Sequence, residues 1–389
     1  MSRSEPESSA AARWLAAIRP LLDDERWARA AWSRVCEPAD AQAARLVTEM
    51  GAVDALVALA SPATQHHRVL RDRAVDVDFA GLPSMARALG LRVLIPSDPD
   101  WPTGLDDLAD PPISLWVRGP GDLAGLQARS VAVVGSRAAT AYGVGLSADI
   151  SSELAARGYA VVSGAAYGID RHAHVGALGA SGATIAVLAG GLDRPYPSGN
   201  ARLIARIGEV GAVVSEVCPG GAPTRGRFLK RNRLIATMAA GTLVVEANLR
   251  SGSLNTARTA AEHHRPVAAV PGPVVSPMSA GCHQLIRDGQ ATLVTDAAEM
   301  IELVGQLGLD AAPRRCAQPM LADAVDPADR SVLDVVPVRA GMPVPAIARY
   351  ACVPETQARA ALARLELLGL VVVEGDRWRK PTRRDSRPG

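Results

Sequence analysis

Two groups of residues in this chain have the types and spacing to hold a polyanion. The first is a series of small-residue turns, each following a short apolar run. They are Gly135-Ser136-Arg137, then Ser163-Gly164-Ala165-Ala166-Tyr167-Gly168-Ile169-Asp170, then Gly190-Gly191-Leu192-Asp193, Ser215-Glu216, Glu246 through Ser251-Gly252-Ser253, and Pro271-Gly272. Glycine lets a ligand approach the backbone, serine offers a hydroxyl, and Arg137 supplies a planar fork matched to a phosphate. The second group runs from Arg225 to Arg233 and holds five basic residues in nine with no acid between them. Lys230, Arg231 and Arg233 read as the opening of a helix continuing through Leu234 to Ala240, where positive charge beside the positive helix end is unfavourable unless an anion is bound. Phe228, one of two phenylalanines, stands beside them and is placed to stack on a base. Taken singly, each feature also has an ordinary explanation: Gly-Ser-Arg as a tight strand-to-helix turn, the basic run as a solvated face, Phe228 as a core residue.

Other chemistries find less support. Asp170, Asp193, Glu216 and Glu246 fall at the same turns, but nuclease or acid-base action needs clustered carboxylates. Asp170 is expected to start a helix, and the glutamates to bond backbone amides or pair with Arg137. His172 and His174 lie two apart in an expected helix and so point to different sides rather than to one ion. His263-His264 reads as a helix end. The cysteines, Cys36, Cys218, Cys282, Cys316 and Cys352, are odd in number and widely spaced, which fits small buried apolar residues better than a disulfide frame or a zinc site. No catalytic residue, metal site or cofactor is expected.

The elements that must position these turns follow from the apolar pattern. Short apolar runs at 131–134, 160–162, 184–188, 212–214, 243–245, 267–270 and 292–294 alternate with helical spacing, which means a doubly wound parallel sheet covered on both faces. In such a sheet, ligands bind where strands end at their carboxyl edge. Residues 13–60 carry helical spacing broken at Pro38 and near Gly51, and two extended segments lead into the sheet between Leu91 and Gly119. After about residue 308 a Pro- and Ala-rich stretch reads as a linker. Three helices and a hairpin turning at Gly375-Asp376 then follow in winged-helix order. The expected division is a helical domain over 1–80, a Rossmann-like domain over 81–308, a linker over 309–325, a winged helix over 326–380 and a basic tail over 381–389. At 389 residues, with 48% hydrophobic and 21% charged residues, the composition is that of a globular protein of two or three domains. A net charge of +2 by itself points to no nucleic-acid partner. No run reaches the length of a membrane helix or a signal peptide, and a cytoplasmic protein is expected.

The ordered segments VVGSR, SGAAYGIDRHAH, AGGLDRPYP, FLKRNRLIA, VVEANLRSGSLNTARTAAE, AVPGP and GCHQLIRDG resemble the motif series of the DNA-processing protein A (DprA/Smf) family over roughly residues 130 to 300. DPDWPTGLDDLADPPISLWVRG is similar to that family's lead-in. The resemblance implies an extended Rossmann domain that binds single-stranded DNA, forms a homodimer and helps load the recombinase RecA in natural transformation. A helical N-terminal domain of the SAM or HhH type and a C-terminal winged helix accompany it in many members. Carried over by motif, Ser136 and Arg137 match the phosphate-contacting turn, and Lys230, Arg231, Asn232 and Arg233 match the basic segment. Tyr167 stands where many members carry arginine, exchanging charge for stacking, and Ser198 where some carry a lysine. The expected nucleic-acid site is therefore Gly135, Ser136, Arg137, Ser163, Gly164, Tyr167, Gly168, Phe228, Lys230 to Arg233, and Ser251 to Ser253.

Three alternatives compete. Nucleotide phosphoribohydrolases of the lysine-decarboxylase-like family share such a sheet and use P-G-G-x-G-T-x-x-E. Here Pro219-Gly220-Gly221 is followed by Ala222-Pro223-Thr224-Arg225, so the Gly-Thr pair and the glutamate are missing. A nicotinamide dehydrogenase would need G-x-G-x-x-G after the first strand. A winged-helix transcription regulator would need a basic recognition helix, whereas the third helix carries Glu355 and Glu366 beside Arg359 and Arg364.

Overall fold

The computed structural model of the chain describes residues 7–61, 63–73, 77–306, 309–313 and 325–381. They fall into two compact units that divide between Ala312 and Pro313. The expected linker and tail, and with them Cys316, lie mostly outside the described residues.

The larger unit is built on a nine-stranded sheet. In chain order its strands are β1 (Arg92–Leu94), β2 (Leu115–Arg118), β3 (Ser130–Val134), β4 (Ala160–Ser163), β5 (Thr184–Val187), β6 (Ala212–Ser215), β7 (Gly241–Val244), β8 (Val267–Ala269) and β9 (Thr292–Leu293). They pair in the order β1-β2-β6-β5-β4-β3-β7-β8-β9. β3 to β9 are mutually parallel, while β2 joins antiparallel to β6, with Trp116 opposite Ser215, and β1 pairs antiparallel with β2. The seven apolar runs are thus the seven parallel strands of a doubly wound sheet. Strand order reverses between β3 and β7, and at that switch point the crossovers diverge and leave a crevice.

Strand residues alternate between two buried faces. Val131, Val133 and Val161 pack with the helices Ala141–Ala156, Ile169–Gly179 and Ala297–Val304, while Ala132, Val134 and Val162 pack on the opposite side with the helices Arg225–Thr237 and Gly252–Glu262. Both faces being covered is why these strands are apolar throughout instead of alternating with polar residues. The N-terminal helices Glu7–Ile18, Glu25–Val35, Ala41–Met50 and Ala52–Ala58 share a third hydrophobic cluster with Trp116 of β2, Ala186 of β5 and Val213 of β6. Trp116 donates to Ser33 Oγ at 2.9 Å, and Ser114 Oγ to Arg29 O at 3.2 Å, so the helices are fastened to the sheet by satisfied buried polar groups as well as by apolar area. Among the described residues no helix is long and apolar enough to cross a membrane.

The smaller unit holds the helices Pro327–Val335, Val344–Tyr350 and Glu355–Leu367, with strands β10 (Met342–Pro343), β11 (Val372–Glu374) and β12 (Arg377–Arg379) in the order β10-β12-β11. β10 is an addition to the expected hairpin, since two residues with a proline carry no strand pattern. On the third helix Arg359 donates to Glu355 at 2.6 Å, and Arg364 holds Asp329 through two hydrogen bonds of 2.7 and 2.6 Å. The cysteines are not uniformly buried as expected. Cys218 and Cys282 are, Cys36 is half-buried, and Cys352 is exposed with φ 54° just beyond a helix end.

Candidate nucleic-acid interface

The crevice at the switch point is a pocket of about 340 Å³, far larger than one phosphate requires and within the range of small-ligand sites. Three elements build it. Gly135, Ser136, Arg137 and Ala138 leave β3; Asn248, Ser251, Gly252, Ser253 and Thr256 follow β7; Phe228, Leu229, Arg231, Asn232 and Ile235 form the wall from the helix Arg225–Thr237. Ala166 and Asp170 reach in from beyond β4.

The β3 turn is held by the chain itself. Ser136 N donates to Glu246 O at 2.7 Å, its hydroxyl accepts from Ala138 N at 3.1 Å, and its carbonyl accepts from Ile169 N at 3.2 Å. Gly135 is required by this packing, because a β-carbon there would lie 2.6 Å from Ile169 Cγ1. Gly168, at φ 76°, is required in the same way by the Ser136 and Arg137 carbonyls. Gly252 differs: a side chain there would meet no protein atom, so the space above it belongs to the pocket. It begins the helix Gly252–Glu262, whose first turn is capped by Ser251 and whose positive end opens on the crevice.

Arg137 is exposed, and its guanidinium stands 4.6 Å from the centre of the Phe228 ring. An exposed fork beside a half-buried aromatic ring has the chemistry to meet a phosphate and a base. Arg231, by contrast, is 5% exposed and donates to Val187 O, its guanidinium filling the space beside Gly164. Burial pulls its pKa down to about 10, with Asp170 opposing and Arg137 adding to the shift. Burial likewise raises the Asp170 carboxyl above the usual range, against the attraction of Arg231. Burial thus pushes both members toward their neutral forms. Desolvation outweighs their mutual attraction, which leaves Arg231 as a source of positive field under the pocket floor instead of a surface contact.

Several expected site residues lie elsewhere. Ser163 is fully buried, its hydroxyl donating to Val133 O at 2.7 Å, and Gly164 is covered by Arg231. Tyr167 is exposed but outside the pocket, against Gly199. Lys230 and Arg233 point away from it. The helix begins at Arg225, capped by Thr224, so Lys230, Arg231 and Arg233 do not lie at its opening as expected, and at 100° per residue 230 and 233 fall on the face opposite Phe228. Arg233 there donates to both oxygens of Glu216 at 2.7 Å, with side chains 12% and 11% exposed. Asn232 does face the pocket and donates to Gly252 O at 3.2 Å. Asn248 and Thr256 went unnamed in the sequence. Asn248 was legible as part of the turn after the fifth parallel strand, whereas Thr256 follows only from the pitch of a helix whose start is known.

The four strand-end carboxylates are occupied. Glu246 accepts from Thr140 N at 2.9 Å and Thr140 Oγ1 at 2.6 Å, Asp193 from Gly220 N at 2.7 Å, and Asp170 from Ala166 N at 3.4 Å. Glu216 pairs with Arg233, not with Arg137. His172 Nδ1 lies 2.9 Å from Gly168 O, and His174 Nδ1 2.7 Å from Thr184 Oγ1 in the interior, so the two imidazoles have separate surroundings.

Comparison with known proteins adds to this geometry. The family profile described as DNA recombination-mediator protein A matches residues 92–305. A DNA processing protein DprA of Mycobacterium tuberculosis is 43% identical over 379 residues, covering 92% of this chain and 95% of that protein. The crystal structure of DNA processing protein A from Streptococcus pneumoniae superposes with a TM-score of 0.61 at 32% identity, over 72% of this chain and 96% of that one. DNA processing protein A from Helicobacter pylori, whose structure was described for its single-stranded DNA binding mode, gives a TM-score of 0.50 at 31% identity, over 55% of this chain and 94% of that one.

Proposed function

This chain belongs to the DNA recombination-mediator protein A (DprA/Smf) family, and on that premise we propose that its switch-point pocket holds single-stranded DNA and performs no chemistry on it. The observation that carries the proposal is the pairing of an exposed Arg137 with the Phe228 ring at the mouth of a pocket that also receives the positive end of the helix Gly252–Glu262. Phosphate goes to the fork and the helix end, and a base goes to the ring. Neither contact reads a base edge, so sequence preference is slight and affinity falls with salt as neutralised phosphates release counterions. Gly135, Ser136, Arg137, Phe228, Asn232 and Ser251 to Ser253 make the site, with Arg231 beneath it.

Binding without catalysis is supported by the strand-end carboxylates, each already engaged with an amide, hydroxyl or arginine of the chain. The Pro219-Gly220-Gly221 turn favours no phosphoribohydrolase either, since its neighbours are Asp193 and Cys218 on the β5–β6 side, outside the pocket. Incubation with nucleoside monophosphates is expected to release no free base. By family kinship the protein acts as a homodimer in the cytoplasm, protecting incoming strands and loading RecA in transformation and recombination. A transcription-regulator role is disfavoured by the acid-paired arginines of the helix Glu355–Leu367. Fluorescence anisotropy of a labelled oligothymidylate at rising salt tests the central proposal. Nanomolar to micromolar binding that weakens steeply with salt supports it, and salt-independent or absent binding overturns it.

A further inference from the structure

Phe228 lines two adjoining depressions. One is the switch-point pocket; the other, smaller, is formed with Gly190, Arg194, Tyr196 and Pro223 beyond β5. Tyr196 is 51% exposed, and its ring centre lies 5.8 Å from that of Phe228 with the planes at 59°. Arg194 beside it has a side chain 89% exposed, with only a 3.6 Å contact to Asp193, too loose and too wet to neutralise it.

A single exposed tyrosine needs no explanation. Here the setting supplies one. Tyr142 and Tyr167 are exposed as well, but it is Tyr196 whose ring sits beside the Phe228 ring. The loop carrying Tyr196 is also fixed in place. Asn200, fully buried, donates to Ala165 O at 2.9 Å and Ala166 O at 3.2 Å, and accepts from Arg171. A rigid ring placed next to a ring of the site, with a free guanidinium beside it, is a preorganised stacking surface and loses little freedom on binding.

We propose that Tyr196 and Arg194 form a second nucleotide subsite, taking the base and phosphate next to those held at Phe228 and Arg137. The proposal rests on single-stranded DNA being the pocket's ligand. Tyr196 stacks, Arg194 takes a phosphate, and the strand leaves the pocket across Phe228 toward β5 instead of toward β8.

The test separates stacking from charge. Full-length protein is titrated with a short oligothymidylate extended, at its 5′ or its 3′ end, by thymidines or by abasic sugar-phosphates, which carry the same phosphates and no base. Wild type is expected to prefer the thymidine extension about ten-fold at one end. Tyr196→Leu, which keeps apolar bulk for folding, is expected to lose that preference while binding the abasic form within about two-fold of wild type; Tyr196→Phe keeps it. An undiminished preference in Tyr196→Leu overturns the subsite and leaves the pocket standing. If wild type binds neither oligonucleotide, the pocket reading fails and the subsite with it.

Discussion

The helix Arg225–Thr237 meets two different surroundings, and its basic residues divide between them. On one face Phe228, Arg231 and Asn232 border an open crevice with Arg137 across from them. On the other, Arg227 donates to Glu37 through two 2.9 Å bonds, Arg233 grips Glu216, and Lys230 lies near enough to help hold the Glu37 carboxyl below its usual range. The first face borders the open crevice with Arg231 buried beneath it, while the second is engaged with Glu37 beyond the helix Glu25–Val35 and with Glu216 at the end of β6. A dense basic run along the chain is therefore not one basic patch in space. An α-helix turns 100° per residue, and what each arginine meets is decided by the layer packed against it.

Substitutions on the two faces should separate by what they damage. The largest effect is expected on the closed face. Arg233→Ala leaves Glu216 buried without its partner and should cost about 3 kcal/mol of stability in denaturant unfolding, while the folded protein binds oligothymidylate within about two-fold of wild type. A large affinity loss in that variant would erase the contrast. On the open face, Arg137→Ala should weaken binding about ten-fold or more and lower the salt slope by about one, with little change in stability. Phe228→Ala should weaken binding about ten-fold with the salt slope unchanged, because the loss is stacking and not charge.

Smaller effects sharpen the picture. Asp170 lines the pocket with its carboxyl held up by burial, so its neutral form tolerates a phosphate and its ionised form repels one. Affinity should fall as pH rises through the pKa of that group. Asp170→Asn should flatten this dependence and bind a few-fold more tightly at neutral pH, as read from anisotropy across a pH series. Lys230→Ala should change affinity by less than about two-fold, and a ten-fold loss would return Lys230 to the site.

Much of this was legible in the chain. Near-continuous apolar strands dictated two covered faces, and the small residues at their ends marked turns of which some line the crevice. Gly135, Ser136 and Arg137 could be found by that rule alone. Ser163 obeyed the same rule, yet it is buried outside the pocket with its hydroxyl donating to Val133 O. Local sequence does not tell an amide or hydroxyl left open from one already satisfied.

What the sequence by itself determined is the doubly wound sheet, the turns at its carboxyl edge and a concentration of arginine near one of them, since these follow from apolar period and residue type. Only the tertiary structure decided which turns converge, because strand order, and not chain order, places β3 beside β7. It also decided which guanidinium is free. Arg137, Arg231 and Arg233 are alike as residues, and are separated by burial and by the acids that the fold brings to two of them.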